Sequence, residues 1–396
     1  MKTRSFLTPL SSTIFMLLGA VALAQSTWTG GGAPDGNFSN TANWNTPPNP
    51  SAGNTLNFDG SVNLNATNDL TLTTADQAIN FNTGASAFTL WGNTIRAGGI
   101  ANNSSFLQTI NMGLNLNGTR TFNVGSAGIL LGRPVGSTGT GTRTVTVSGS
   151  GALIVTGTAT PSGGGANYSV SSGSLVFSNS TGQTTSTGGG GISLAGSGTT
   201  LQFNNAGTVR LGGVITTVSG STVALNSTGN VTTTNTAATL LTIASGASLT
   251  GVGNLSGAVS ISGTVMPGIS GIGTISVASL TLAPGSLTIL DIDREATQKA
   301  DLISASGTIT FAGTLQVNNL GAALQAGDVF DLFQASAYSG TFSNFDLPTL
   351  DPGLTWDVSQ LDVTGTIAVA PVPEPATAAL LGVGAVAWLA WRRRKI

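Results

Sequence analysis

The chain has 396 residues, of which only 7% are charged, and its formal net charge is −2. With this charge balance, the chain has no strong electrostatic attraction for nucleic acid or for anionic membrane surfaces. The sequence contains no Cys, which excludes disulfides, and no His, which removes the commonest general base and metal ligand. Apolar residues reach 40%, so the chain can bury a large core, whereas disordered chains combine low hydrophobicity with high charge.

Residues 1–24 have the pattern of a secretory signal peptide. Two basic residues precede an apolar stretch over 14–23, and Ala22 and Ala24 frame a small-x-small cleavage site. We expect a signal helix in the precursor and cleavage that leaves Gln25 as the first mature residue. The sequence therefore predicts an exported protein.

Residues 25–61 are predicted to cap one end of a longer structure. The segment places Trp28, Trp44, Phe58 and Asp59 among Gly, Pro and Asn turn formers. We interpret the aromatic residues as a plug for the core. The alternative is a glycan-binding site on Trp28, Trp44 and Asp59, because aromatic faces and carboxylates suit sugars. The segment resembles the opening of autotransporter-associated β-strand repeat proteins.

The region 62–370 is predicted to be a β-solenoid in an all-β protein. Apolar residues alternate with Ser and Thr in short runs bounded by Gly, Ser and Asn. A small-residue turn followed by an apolar strand start recurs at intervals of 22, 26, 22 and 26 residues, at Leu153, Leu175, Leu201, Val223 and Leu249. Such a period fits one coil of a parallel β-helix, with a β-sandwich array as the alternative.

Two further features of this region bear on its class. The segment 118–124 recurs as 141–147, which sets Arg120 and Arg143 one period apart. If these arginines stacked as a ladder, they could bind an acidic polymer. The preferred interpretation is that both are solvated residues on the outer face. The succession from 248 to 369 is similar to the late passenger region of autotransporters, but a sorting tail follows it instead of a membrane barrel, so we do not expect the autotransporter route.

Candidate catalytic groups are scarce. Between Asp76 and Asp291 there is no Asp or Glu, whereas a glycosidase needs two carboxylates that flank the scissile bond. Without His, the many serines have no partner that would activate them as nucleophiles. Asp291 and Asp293 share a face at strand spacing and form a weak calcium candidate, with an ordinary exposed loop preferred. We therefore expect no enzyme and no cofactor.

The C-terminal segment 371–396 has three successive parts. A proline box is followed by an uncharged run over 376–391, which is near the lower length limit of roughly 17–25 residues for a membrane-spanning helix. A basic stop then fixes the cytoplasmic side. The box comprises Val372, Pro373, Glu374 and Pro375, and the stop comprises Arg392, Arg393, Arg394 and Lys395.

This tail resembles the PEP-CTERM sorting signal of Gram-negative bacteria. The resemblance implies that an exosortase-type membrane protease recognises Pro373, Glu374 and Pro375, and that the tail is removed during export. The alternative is a plain tail anchor in the inner membrane. Transient anchoring there, followed by delivery to the cell surface or medium, is the expected route.

The expected function is that of a non-enzymatic surface or extracellular-matrix protein. Adhesion, or a structural role in biofilm beside exopolysaccharide, is the interpretation that the family resemblance favours, with no nucleic acid partner. The first alternative is a carbohydrate-binding surface module. The second is a β-helix enzyme that degrades polysaccharides.

Overall fold

The computed structural model describes residues 24–139, 141, 143–157, 164–182, 184–235 and 239–372. Within these residues the chain forms strands almost throughout, and its one helix is the 3₁₀ turn Thr41–Asn43. No helix among them is long and apolar enough to cross a membrane. The predicted membrane span and all of the predicted signal helix before Ala24 lie outside the described residues.

The strands of the first half are short and follow one another at close intervals. In chain order they are β1 (Ala24–Trp28), β2 (Asn54–Phe58), β3 (Asn65–Asn68), β4 (Leu72–Phe81), β5 (Thr89–Gly92), β6 (Ile95–Asn102), β7 (Gln108–Ile110), β8 (Leu114–Leu116), β9 (Arg120–Asn123), β10 (Ile129–Leu131), β11 (Gly136–Ser137), β12 (Arg143–Ser148), β13 (Ala152–Val155), β14 (Ala166–Val170), β15 (Ser174–Phe177), β16 (Thr184–Ser186), β17 (Ile192–Leu194) and β18 (Thr200–Phe203).

The second half contains longer strands that bend around the corners of the fold. These are β19 (Thr208–Leu211), β20 (Ile215–Thr216), β21 (Thr222–Thr233), β22 (Thr239–Ile243), β23 (Ser248–Ile261), β24 (Thr264–Pro267), β25 (Thr274–Leu282), β26 (Leu287–Ile292), β27 (Leu302–Ala305), β28 (Thr308–Phe311), β29 (Thr314–Asn319), β30 (Val329–Asp331), β31 (Phe333–Gln334), β32 (Ala337–Gly340), β33 (Asn344–Asp346), β34 (Leu354–Asp357) and β35 (Thr366–Pro371).

The chain winds as a coil with three strand positions per turn, and each strand pairs in parallel with the strand at the same position one turn later. The prediction of an all-β parallel solenoid is confirmed. We name the three sides faces A, B and C. Face A consists of β1, β2, β9, β12, β14, β17, β20, β22, β28, β32 and the second parts of β4, β6, β23 and β25.

Faces B and C complete the triangular cross-section. Face B contains β3, β5, β7, β10, β13, β15, β18, β24, β26, β29, β33 and the first parts of β21 and β23. Face C contains β8, β11, β16, β19, β27, β31, the first parts of β4, β6 and β25, the last part of β21, and the middle part of β23, whose last part is the one on face A.

The sequence repeat gave the register of face B correctly. The strand-start residues at 153, 175, 201, 223 and 249 are successive Cα partners on this face. All five are buried. They stack inward because side chains alternate between the two sides of a strand, so the apolar set of each coil faces the core.

The core is a continuous stack of apolar side chains inside the coil. On face A, for example, Val147, Val170 and Leu194 are register partners and fully buried. Complete burial of such a side chain contributes roughly 1.5–3 kcal/mol. Because each coil contacts mainly its neighbours, stability accumulates along the axis, as in other solenoids.

Glycine sets one of the tight corners between faces A and B. Gly173 has a φ of +71°, and a Cβ added there would lie 2.4 Å from the carbonyl oxygen of Gly151 in the preceding coil. An L-residue is strained at this φ and also collides with that carbonyl. The corner therefore requires glycine for two separate reasons.

Both ends of the stack are covered. At the first end, Asn45 N–H donates to the Thr27 carbonyl (2.9 Å) and Thr29 N–H donates to the Asn43 carbonyl (2.7 Å), which covers the free edge of β1. At the other end, β30, β35 and β34 form a separate antiparallel sheet in that order. Since β1 and β2 already belong to face A, stacking begins ahead of the predicted boundary at residue 62. Covered edges disfavour end-to-end aggregation.

Candidate functional site

The folded body leads directly into the predicted proline box. β35 is the central strand of the antiparallel end sheet, and Pro371 is the register partner of Leu354 on β34. The next residue, Val372, donates its N–H to the Gly353 carbonyl at 2.8 Å. Pro373, Glu374 and Pro375 follow at once in the sequence and lie outside the described residues, as does the basic stop.

β35 is fixed from both sides. Ile367 and Val369 are buried under the end sheet. Val369 N–H donates to the Asp328 carbonyl (2.9 Å), and Gly327 N–H donates to the Val369 carbonyl (2.8 Å). The Trp356 indole N–H on β34 donates to the Pro348 carbonyl at 2.9 Å. The tail therefore emerges from a hydrogen-bonded strand.

An ion pair joins the end sheet to the coil below it. Arg294 Nε donates to Asp328 Oδ2 at 2.9 Å, and Arg294 Nη2 donates to Gln325 Oε1 at 2.8 Å. Burial by itself raises the pKa of the Asp328 carboxyl. The hydrogen bonds from Gln325 N–H and Arg294, with the charges of Arg294 and Lys299, outweigh burial and lower that pKa overall. The carboxylate thus stays ionised and holds the cap in place.

The aromatic residues of segment 25–61 form one cluster at the first end of the core. The ring centroids of Trp28 and Trp44 are 5.0 Å apart, and those of Phe38 and Trp44 are 5.2 Å apart, both in edge-on geometry. Trp28 is 1% exposed and Trp44 is 5% exposed. Their faces contact other rings, so in this structure neither tryptophan offers a face to a sugar.

Asp59, the third residue of the predicted glycan site, directly follows the end of β2. Its Oδ2 accepts a hydrogen bond from Asn82 Nδ2 at 3.0 Å, and its Oδ1 accepts one from Gly60 N–H at 2.8 Å. The first contact joins two successive coils, and the second stabilises the turn.

Each member of the predicted acidic pair accepts a hydrogen bond. Asp291 Oδ1 accepts from Asn318 Nδ2 (2.9 Å), and Asp293 Oδ1 accepts from Glu295 N–H (2.9 Å). Within the described part of the chain, no group of three or more acidic, His or Cys side chains is placed to hold a metal ion.

The neighbouring Asp301 belongs to the same acidic segment of the sequence and is its buried member. Its two oxygens accept from Gly273 N–H (2.6 Å) and Asp291 N–H (2.9 Å). The pKa of Asp301 is raised to about 6, because the effect of burial exceeds the opposing effect of these two backbone donors. Its position indicates a structural role, since it ties β26 to the turn before β25.

The arginine ladder, which was the alternative to solvated outer-face residues, does not form. Arg120 is the register partner of Val145, and Arg143 is the register partner of Ala166, so the two arginines are offset by two residues. Instead Arg120 and Arg96 share Asp76, with Arg96 Nε donating to Asp76 Oδ1 at 2.7 Å. Asp76 is 20 residues from Arg96 and 44 residues from Arg120 in the sequence, so no local pattern predicts this network.

Comparison with known families matches the tail alone. Residues 371–395 match the PEP-CTERM protein-sorting motif, and no curated protein matches the chain. The motif implies processing by an exosortase, a membrane protease, and export to the cell surface through a transient membrane-anchored state. The match begins at Pro371, the last residue of β35. The last described strand and the sorting motif therefore overlap at this residue.

Proposed function

We propose that this protein is a non-enzymatic structural component of the cell surface or extracellular matrix, exported with an N-terminal signal and released from its tail by an exosortase. The observation that carries the proposal is the continuity of β35 with the sorting motif. A long solenoid with covered ends and almost uncharged sides is suited to act as a passive, durable element outside the cell. Adhesion or association with exopolysaccharide in a biofilm is the role that we assign to it.

The contacts that three of the carboxylates make support a structural role for the protein. Asp76, Asp301 and Asp328 each hold two parts of the fold together through ion pairs or backbone donors. A glycosidase instead needs two carboxyl groups facing one substrate bond across an open cleft. These three residues are committed to the scaffold, which favours the structural reading over the polysaccharide-degrading alternative.

The test of sorting is the mass and location of the protein in a host that has an exosortase. We expect the wild-type chain to lose both ends and reach the surface, and Glu374→Ala to keep its tail in the inner membrane. The matched control is Glu295→Ala, which removes the other glutamate of the sequence at an exposed position. If both variants and the wild type retain Arg392 to Lys395, the tail is a plain anchor and the proposed route is wrong.

The adhesive role has its own measurement. Surface attachment and matrix retention are compared between cells that produce the protein and cells that lack it. Loss of attachment in the deletion strain, restored by the wild-type chain and not by Glu374→Ala, is the expected result. Equal attachment in all strains would refute the adhesive role while leaving the sorting route intact.

A carbohydrate-binding module remains the second candidate function, but on a different residue. Trp91 on β5 is 47% exposed and has Thr67 as its register partner on face B. An exposed indole beside hydroxyl groups suits stacking against a sugar ring. Glycan binding that is lost in Trp91→Ala, and kept in Phe106→Ala as the matched exposed aromatic, would favour this candidate.

A further inference from the structure

One row of outward side chains on face A consists only of hydroxyl residues through ten successive coils. Each member is the Cα partner of the next, from β9 through to β32. We call it the hydroxyl row, and it comprises Thr121, Thr146, Ser169, Ser193, Thr216, Thr242, Ser260, Thr281, Thr310 and Ser339. The register, which no local sequence motif reveals, brings these residues into line.

Most of these hydroxyl groups are unengaged by the protein. Thr310 and Ser339 lie 2.9 Å apart, oxygen to oxygen, and hydrogen-bond to each other. Across the part of the chain that the structure describes, the other eight hydroxyls make no hydrogen bond to a side chain or to the backbone. Each free hydroxyl can donate one hydrogen bond and accept two. The row therefore presents a repeating set of donors and acceptors to solvent.

The row is regular and uncharged. Neighbouring strands in a sheet are about 4.7–4.9 Å apart, so the hydroxyls recur at that spacing along the solenoid axis. The residues two positions before and after each member are all uncharged. A charged side chain would order water around itself and interrupt such an array, and the row avoids this.

The surroundings leave face A accessible. The long connections 293–301 and 320–328 leave from the corner between faces B and C, opposite face A. Near the middle of the row, a shallow depression of about 480 Å³ lies beside Ser169, Ser193 and Thr216. Backbone of Gly191 and Gly213 lines it, which provides space for ordered water against the row.

We propose that face A binds the surface of an ice crystal through the hydroxyl row. The strand spacing is close to an oxygen repeat of hexagonal ice, so water molecules held by successive hydroxyls match one direction of that lattice. Water held by well-placed polar groups is nearly as favourable as a direct hydrogen bond. An uncharged row fits an uncharged lattice, and the six threonines add methyl groups that keep the side chains ordered.

A neutral polysaccharide is the less suitable occupant of this row. Sugar rings are generally held by exposed aromatic faces, and the exposed aromatic residues of the described chain, Trp91, Phe106 and Phe345, are not in strands of face A. The uninterrupted repeat over ten coils also exceeds what recognition of a few sugar units requires. The repeat and the neutrality favour a crystalline surface.

The test uses the purified chain in the form that the expressing host yields, processed or with its tail. Wild-type protein is expected to shape growing ice crystals and to separate the freezing point from the melting point. The variant Thr216→Lys/Thr242→Lys places two cations at adjacent exposed positions of the row. We expect it to lose this freezing-point separation by several-fold.

The matched control is Asn254→Lys/Ser256→Lys, which adds the same charge at two exposed positions on face C. It should behave like the wild type. If the first variant does not fold, as judged by circular dichroism, Thr281→Lys/Thr310→Lys tests the same row three coils further on. Absence of crystal shaping by the wild type, or an equal loss in the face A and face C variants, overturns the proposal. Retention on a neutral glycan without any effect on freezing also overturns it.

Discussion

Replacing Phe203 by alanine is expected to lower the free energy of unfolding by about 3–5 kcal/mol. Phe203 is fully buried on β18 and is the register partner of Phe177 in the coil before it and of Leu225 in the coil after it. The rings of Phe177 and Phe203 are stacked, with centroids 5.8 Å apart and an interplanar angle of 14°. The substitution opens a cavity between two coils that cannot close, because backbone hydrogen bonds fix the distance between strands.

The neighbouring residue supplies the matched control. Gln202 lies on the same strand but faces outward, between Val176 and Ala224 on the adjacent coils. Gln202→Ala should change the free energy of unfolding by no more than about 0.5 kcal/mol, as expected for a surface position. The contrast isolates core packing from any general effect of substitution on β18.

The measurement is urea unfolding followed by circular dichroism and by intrinsic fluorescence. Solenoids approximate a one-dimensional chain of coupled repeats, so a lesion at a central coil weakens the coupling between the two halves. The two probes should therefore separate in Phe203→Ala, since most of the tryptophans lie towards the ends of the chain. In wild type and in Gln202→Ala they should coincide.

A double-mutant cycle checks the stacking itself. Phe177→Ala and Phe203→Ala should be non-additive by about 0.5–1.5 kcal/mol, the range for an aromatic pair beyond its buried area. A loss below about 1 kcal/mol in Phe203→Ala, or an equal loss in Gln202→Ala, would contradict the assigned register and the inward position of the ring.

Three further predictions concern the corner, the buried acid and the ion-pair network. In urea unfolding, Gly173→Ala should destabilise the fold by about 1–2 kcal/mol more than Gly198→Ala. Both glycines have a positive φ, but only at Gly173 would the added methyl group also collide with a backbone carbonyl. Equal losses would show that the corner tolerates a methyl group. Since the pKa of Asp301 is raised to about 6 in the folded protein, the folded state binds more protons than the unfolded state between pH 4 and 6, and stability falls as pH rises through that window, by at most about 3 kcal/mol. Asp301→Asn should flatten this dependence in thermal unfolding from pH 4 to 7, and an unchanged slope would refute the assignment. Asp76→Asn should cost about 1 kcal/mol at low salt, and less in high salt, because its two partner arginines are partly exposed; a salt-independent loss would point to packing instead of charge.

The sequence by itself determined the fold class and one face of the register. The period-two alternation of apolar residues predicts which side chains face inward. The recurrence of strand starts at Leu153, Leu175 and Leu201 predicts how successive coils align on face B. Both signals are local or nearly so, because a repeat stacked on copies of itself leaves its period in the chain. The sorting motif is likewise contiguous and was readable without a structure.

The same reasoning misaligned face A by two residues. The repeat 118–124 and 141–147 suggests that Phe122 pairs with Val145, whereas Phe122 pairs with Val147. A shift of two keeps every inward residue inward, so alternation cannot distinguish the two registers. The lengths of the turns at the other corners decide between them, and those turns carry no apolar pattern.

Only the tertiary structure decided which side chains meet and which remain free. In the folded chain Trp28 and Trp44 pack against each other, and Asp76 forms an ion pair with Arg120, 44 residues away. Hydroxyl residues such as Thr216 and Thr242 lie in one row. These contacts depend on the rise of the coil and on the residues inserted at each corner. Sequence separation varies freely between such partners, so their proximity becomes visible only when the coils are stacked.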